Sequence, residues 1–158
     1  MSKFLTRSGR DLLVQKIKAT EAKLVHVMSQ KGDAYENGGN GWHDNFAYEQ
    51  LIREEAMLAG QHASLKDILR NATIVPSVAT TIDHVSVGCV VELEDDDGNS
   101  TEYEVAGYGE TDLSASPKKL EYLAPIIEPF VDGVVGDEHS VRIAGKKITL
   151  TLINIRRS

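Results

Sequence analysis

The sequence contains a single cysteine, Cys89, among its 158 residues. One cysteine excludes an internal disulfide and any zinc site built on several thiolates. This usage is typical of proteins of a reducing cytosol, so we expect a cytoplasmic location. No apolar run approaches the length of a membrane span, and the first residues lack a continuous apolar core of signal-peptide length. We therefore expect a soluble chain with no membrane partner.

Clustered positive charge is lacking as well. The net charge is −7, from 17 Lys and Arg against 24 Asp and Glu. Residues 1–75 carry ten basic and nine acidic side chains, whereas residues 76–158 carry seven and fifteen. Nucleic-acid backbones are bound by clustered Lys and Arg, which the acidic second half does not offer. Direct binding of nucleic acid by that half is therefore not expected.

Proline is absent before Pro76, and the apolar side chains of that part recur at the spacing of helices that pack against each other. The apolar residues of each helical segment form one seam. Glu55 and His62 interrupt the seam of the second segment, which we therefore expect to be imperfect and partly exposed to water. The pattern predicts two long helices joined by a short turn, an antiparallel helical hairpin. The seam positions are Leu13, Ile17, Thr20, Leu24 and Val27, followed by Leu51, Leu58, Leu65 and Ala72.

Glycine and asparagine interrupt the helical pattern within residues 34–45. Both residue types tolerate positive φ and end helices, whereas Asp and Asn side chains cap the first amides of the next helix. This segment is therefore predicted to be the tip of the hairpin, with Asp44 or Asn45 opening the second helix. The side chains carried at the tip are Glu36, Trp42, His43 and Asp44.

The tip residues also have ordinary structural explanations. Asp44 is either a helix cap alone or a metal ligand, and Asn45 could be the cap in its place. His43 lacks the partner cluster that a metal site needs. Trp42 either folds back over the hairpin end or anchors a partner, and we favour the anchor because tryptophan is enriched at binding hot spots.

From Pro76 onward the apolar pattern changes from helical to alternating. This pattern predicts a small, mainly antiparallel β domain with one short helix at residues 125–131. The fold class is therefore α+β, with the helical hairpin (a coiled coil) in residues 1–75 and the β domain in residues 76–158. The predicted strands are residues 85–87, 89–93, 101–105, 120–123, 139–143 and 147–155.

Several short motifs resemble those of the GreA/GreB bacterial transcript-cleavage factors. Leu5-Thr6-x-x-Gly9-x-x-x-Leu13 is similar to the opening Leu-Thr-x-x-Gly-x-x-x-Leu of that family. Each motif alone is short, but their order and spacing along the chain agree with the family. The others are Ala34-x-Glu36-x-Gly38, Asp44-Asn45-x-x-Tyr48, Asn71-Ala72, Val87-Gly88-x-x-Val91, Pro125 and Gly136-Asp137.

The resemblance implies an FKBP-like antiparallel β domain that docks near the mouth of the RNA polymerase secondary channel. The hairpin would then enter the channel. In the family, a tip Asp and a Glu three residues later help to hold the second Mg²⁺ of the polymerase active site. Here Asp44 stands at the Glu position, one methylene shorter, and Gly41 stands at the Asp position. Asp33 and Glu36 could supply a second carboxylate from the first helix.

The resemblance also assigns roles to individual residues. Asp44 is the predicted catalytic residue, and Asp44 and Glu36 are the predicted Mg²⁺ ligands. The Mg²⁺ belongs to the polymerase, and no stably bound cofactor is expected. The predicted polymerase contacts are Trp42, His43, Asn45 and Pro125.

The predicted function is therefore that of an accessory factor, not an enzyme, which binds RNA polymerase as a monomer and promotes cleavage of backtracked RNA. Nascent RNA would be contacted only indirectly. An alternative is a regulator or inhibitor that occupies the secondary channel without cleavage. Two other classes are an FKBP-like peptidyl-prolyl isomerase and a coiled-coil adaptor, whose exposed seam would drive self-association.

Overall fold

The computed structural model describes residues 2–37 and 46–158, without the side chains of residues 36 and 37. Backbone contacts divide the chain into two compact units, and the predicted α+β class is confirmed. The start of the chain, predicted as part of the helical domain, groups with the β residues. The helical unit is Asp11–Asn71, and the β unit consists of the residues up to Arg10 together with Ala72–Ser158.

Two long helices, α1 (Arg7–Asn37) and α2 (Phe46–Asn71), form the hairpin. Side-chain pairs connect them, and the residue numbers of these pairs rise along α1 as they fall along α2. The two helices are therefore antiparallel, as predicted. Neither helix, as far as it is described, contains an apolar stretch long enough to cross a bilayer. The pairs are Glu21 with His62, Lys31 with Glu55, and Tyr35 with Tyr48.

The buried side chains of the helical unit lie at the predicted seam positions. Thr20 is the polar exception, and its hydroxyl donates a hydrogen bond of 2.9 Å to the carbonyl of Lys16. Its polar atom is thereby satisfied inside the seam. Heptad spacing in the sequence thus located the contact surface of the hairpin correctly. The buried residues are Leu13, Ile17, Thr20, Val27, Leu58 and Leu65.

The β unit is built on a five-stranded sheet with the strand order β5-β4-β3-β7-β6. Three of its neighbouring pairs are antiparallel, in agreement with the predicted mainly antiparallel domain, whereas β4 and β5 are parallel. The turn-rich residues 107–117 carry the chain back before β5 begins, which a parallel pair requires. The strands are β3 (Cys89–Glu94), β4 (Ser100–Ala106), β5 (Lys118–Glu121), β6 (Glu138–Ile143) and β7 (Lys146–Arg157).

A two-residue parallel pair adds the start of the chain to the β unit. Strand β1 (Phe4–Leu5) pairs with β2 (Thr73–Ile74), and the N–H of Tyr108 donates to the carbonyl of Phe4 at 2.8 Å. Leu5 is fully buried. These bonds explain why the first residues group with the β unit, which the sequence did not predict.

The core of the β unit lies between the inner face of the sheet and a short segment before β6. Ile127 and Phe130 of this segment are both fully buried. One 3₁₀ turn, Glu128–Phe130, lies within residues 125–131, where a helical turn or short helix was predicted. Pro129 explains the short turn, because it has no N–H to continue a helical hydrogen-bond ladder.

The chain turns at residues 87 and 88, directly before β3, and residues 85–87 form no strand. The strand predicted there is therefore wrong. Gly88 has φ of +92°, and a Cβ atom there would lie 2.5 Å from the backbone nitrogen of Ala79. Its own N–H donates to the carbonyl of Val105 at 2.9 Å. Only glycine fits this left-handed, crowded turn, which gives the Val87-Gly88 motif a structural reason.

Replacing Gly88 with alanine should therefore destabilise the fold more than the same change at Gly98. Gly98 also has a positive φ, of +82°, but no atom lies within 4 Å of an added Cβ. Gly98→Ala is expected to cost about 1–2 kcal/mol from φ alone. Gly88→Ala adds the steric overlap, for about 1–3 kcal/mol more. Urea unfolding of both variants measures this difference, and equal losses would contradict the close contact at Gly88.

Candidate functional site

Most of the predicted tip lies outside the described residues. Trp42, His43, Asp44 and Asn45 are among them, and so are the glycines at positions 38, 39 and 41. Glu36 lies in the last turn of α1, but its side chain is not described. The roles assigned to these residues stay predictions.

The described end of the hairpin holds two contacts between α1 and α2. The Nζ of Lys31 donates a hydrogen bond of 2.5 Å to Oε2 of Glu55, and both side chains are partly buried. This hydrogen bond raises the pKa of the Lys31 ammonium above its ordinary value. Closer to the tip, the rings of Tyr35 and Tyr48 lie 5.6 Å apart between centroids, tilted by 51°.

Metal-binding geometry does not occur in the part of the chain that the structure describes. No group of three or more His, Cys, Asp or Glu side chains lies close enough there to hold an ion. Asp33, the alternative source of a second carboxylate, is exposed on α1.

Pro125, the predicted docking residue, is exposed on the β unit. The carbonyl of Ala124 accepts hydrogen bonds of 2.8 Å from the N–H groups of Ile127 and Glu128, which closes the turn around Pro125. Ile127 and Phe130 are buried beneath it. This segment therefore presents Pro125 on a turn that is fixed to the core.

A depression with both apolar and polar walls lies on the same unit. Ile126 follows Pro125 directly and contributes to its wall, and the polar residues of the wall are Asp95, Asn99 and Thr101. The other apolar residues of the wall are Leu93, Tyr103, Ile143, Ile148 and Leu150.

Comparison with known proteins identifies the family. The C-terminal model described as "Transcription elongation factor, GreA/GreB" matches residues 79–157, half of the chain. Transcription elongation factor GreA of Thermoanaerobacter pseudethanolicus is 30% identical over 115 residues, which cover 72% of each chain. This chain belongs to the GreA/GreB family of transcription elongation factors. The family that the sequence motifs predicted is thus confirmed.

The comparisons also found other similar proteins. GreA of Caldanaerobacter subterraneus subsp. tengcongensis is also 30% identical over 115 residues, again 72% of each chain. The crystal structure of GreA factor homolog 1 of Thermus thermophilus is 24% identical and covers 99% of both chains, with a TM-score of 0.46. The assignment to the GreA/GreB family rests on the sequence matches.

The opening motif of the family has a structural role at the start of α1. Thr6 caps the helix, because its Oγ1 accepts the N–H of Gly9 at 3.1 Å and its hydroxyl donates to Oε1 of Glu110 at 2.5 Å. A Cβ on Gly9 would lie 2.7 Å from the other carboxylate oxygen of Glu110. That oxygen is buried without a hydrogen-bond partner among the described residues. Thr6 and Gly9 therefore serve the fold of the β unit.

The Gly136-Asp137 motif is structural as well. Oδ2 of Asp137 accepts the N–H of Val134 at 2.9 Å, and the carbonyl of Asp137 accepts the N–H of Leu152. Gly136 has φ of +102° in the same turn. The described motifs thus hold local turns and the start of α1 in place, whereas the residues with a predicted role at the polymerase metal belong to the predicted tip segment.

Sequence reasoning missed the contacts of Lys31 and of Glu110. Lys31 lies four residues after the seam position Val27, and Glu55 was noted only as an interruption of the other seam. The signal was present, since an antiparallel register brings these two positions together. Glu110 belongs to no motif, and its partner Thr6 is 104 residues away in the chain. No local pattern marks that contact.

Substitutions of Pro125 and Ile127 should differ in their effect on the free energy of unfolding. Pro125→Ala is expected to change the free energy of unfolding by less than about 0.5 kcal/mol, because Pro125 is exposed. Ile127→Ala should lower it by about 2–5 kcal/mol, because it opens a cavity in the core. Urea unfolding gives both values. A large loss of stability in Pro125→Ala would contradict the exposed position of that residue.

Proposed function

We propose that this chain binds RNA polymerase, inserts the hairpin of α1 and α2 into the secondary channel, and promotes cleavage of backtracked RNA. Membership of the GreA/GreB family supports the class of function. The main structural support is the antiparallel hairpin, whose seam residues Leu58 and Leu65 are buried within one chain. The 26 residues of α2 span about 39 Å at 1.5 Å per residue, enough to carry a tip far along a channel.

The chain would contribute carboxylate oxygens and not a complete catalytic site. Mg²⁺ prefers hard oxygen ligands, and a pair of metal ions activates water for in-line attack on a phosphodiester. Asp44 would supply one carboxylate to the second Mg²⁺ of the polymerase, and Glu36 would supply another from the end of α1. The polymerase itself would carry out the hydrolysis.

A regulator that occupies the channel without cleavage is the second candidate. Gly41 at the family Asp position favours it, because the tip then lacks one of the two carboxylates that the family uses. Asp44 is also one methylene shorter than the Glu that it replaces. Occupation of the channel would then slow elongation without shortening the RNA.

The candidates of other classes have less support. The adaptor hypothesis needs a seam that is exposed in the single chain, but Val27, Leu58 and Leu65 are buried there. We therefore infer a monomer. The isomerase hypothesis depends on likeness to FKBP proteins alone, and fold likeness does not carry an activity.

Stalled, backtracked elongation complexes test the proposal directly. Wild-type protein should accelerate shortening of the RNA, and Asp44→Ala should reduce this stimulation by about tenfold or more, equal to about 1.4 kcal/mol of barrier. The reason is the loss of a carboxylate that would act only at the metal site. RNA length against time is the measurement.

Glu49→Ala provides the matched control, because Glu49 is an exposed carboxylate in the first turn of α2. The Glu49→Ala variant should stimulate RNA cleavage as strongly as the wild type does. Slower elongation without cleavage would replace the proposal with the channel-occupying regulator. A wild-type chain that does not bind the polymerase would contradict both candidates.

A further inference from the structure

The seam between α1 and α2 changes from apolar to polar toward the tip. Val27 and Leu58 are 2% and 5% exposed. One helical turn closer to the tip, the seam positions are Lys31 and Glu55, whose charged ends are joined at 2.5 Å. A polar pair therefore replaces the apolar contact where the hairpin approaches its end.

Lys31 and Glu55 form a pair in which both side chains are partly buried, at 29% and 27% exposed. In the contact between His62 and Glu21, the imidazole side chain is 22% exposed but the carboxylate side chain is 52% exposed. The side chains of Arg70 and Asp67 are 75% and 60% exposed. Charges that are partly shielded from water interact more strongly than exposed ones.

A polar contact at this place favours one alignment of the two helices. Leucine pairs tolerate small shifts, whereas a charged pair off its register leaves partly buried charges without partners. The Lys31 ammonium is charged at neutral pH, as an ordinary lysine is, and the hydrogen bond to Glu55 raises its pKa further. Tyr35 and Tyr48 add a second contact one turn closer to the tip.

We propose that Lys31 and Glu55 are positioning residues, which fix the described ends of α1 and α2 relative to each other, and that the effect of the factor on the polymerase depends on this alignment. This inference rests on the proposed function. Neither residue touches RNA or metal in this account. They act through the two chain ends, Asn37 and Phe46, from which the tip is carried.

The first test measures two quantities. One is the maximal rate of RNA cleavage at saturating factor, and the other is the concentration of factor that gives half of that rate. Lys31→Ala should lower the maximal rate of RNA cleavage roughly tenfold at an unchanged half-saturating concentration, because a misplacement of about 1 Å can cost up to a hundredfold. If the wild type slows elongation instead, the maximal slowing is the readout. The charge-swapped variant Lys31→Glu with Glu55→Lys should restore the maximal effect that Lys31→Ala loses.

Glu21→Ala is the matched control, because it removes the contact with His62, which also joins α1 to α2 but lies farther from the tip and has a more exposed carboxylate. Glu21→Ala should leave both the maximal rate and the half-saturating concentration unchanged. A rise in the half-saturating concentration of Lys31→Ala alone would make Lys31 a polymerase contact and overturn the proposal. Failure of the swapped pair to restore the effect would overturn it too.

Amide hydrogen exchange gives a readout that does not depend on the polymerase. Lys31→Ala should accelerate exchange in residues 32–36 and 47–50, and Glu21→Ala should not, because only the first variant releases the end of the hairpin. If the wild-type chain does not act on the polymerase, the proposed function fails. Unchanged exchange in Lys31→Ala would overturn the positioning role separately.

Discussion

The apolar seam between α1 and α2 is the contact on which the hairpin depends. Helices of this length are not stable on polar sequence alone, and most of their stability comes from packing of one face. Because Ile17, Val27, Leu58 and Leu65 are buried in that seam, the outer faces of both helices remain available for a partner.

The β unit holds its shape through contacts at family motif positions. Gly88 and Asp137 fix turns next to the sheet, and Thr6 ties the first turn of α1 to Glu110. The matched family model covers residues 79–157, which include the turns at Gly88 and Asp137. The chemistry proposed for the factor depends instead on the tip, where Asp44 and Gly41 differ from the family pattern.

Sequence patterns predicted the parts of the fold that local periodicity controls. Heptad spacing gave both seams, and alternation gave β3, β4 and the final hairpin. The parallel pairing of β5 could not be predicted, because register between strands depends on distant contacts. The strand at residues 85–87 was wrong because the left-handed turn at Gly88 outweighs the β propensity of two valines. At the site, periodicity placed Lys31 and Glu55 on their helices but did not pair them.

The central claim is that the hairpin enters the secondary channel, and a tethered cleavage reagent tests it most directly. Cys89 is buried, so an iron chelate attached to Glu49→Cys would label the exposed end of α2 selectively. The account predicts hydroxyl-radical cuts in the polymerase beside its catalytic Mg²⁺ and in the RNA held there. Cuts confined to the outer surface of the polymerase would contradict it.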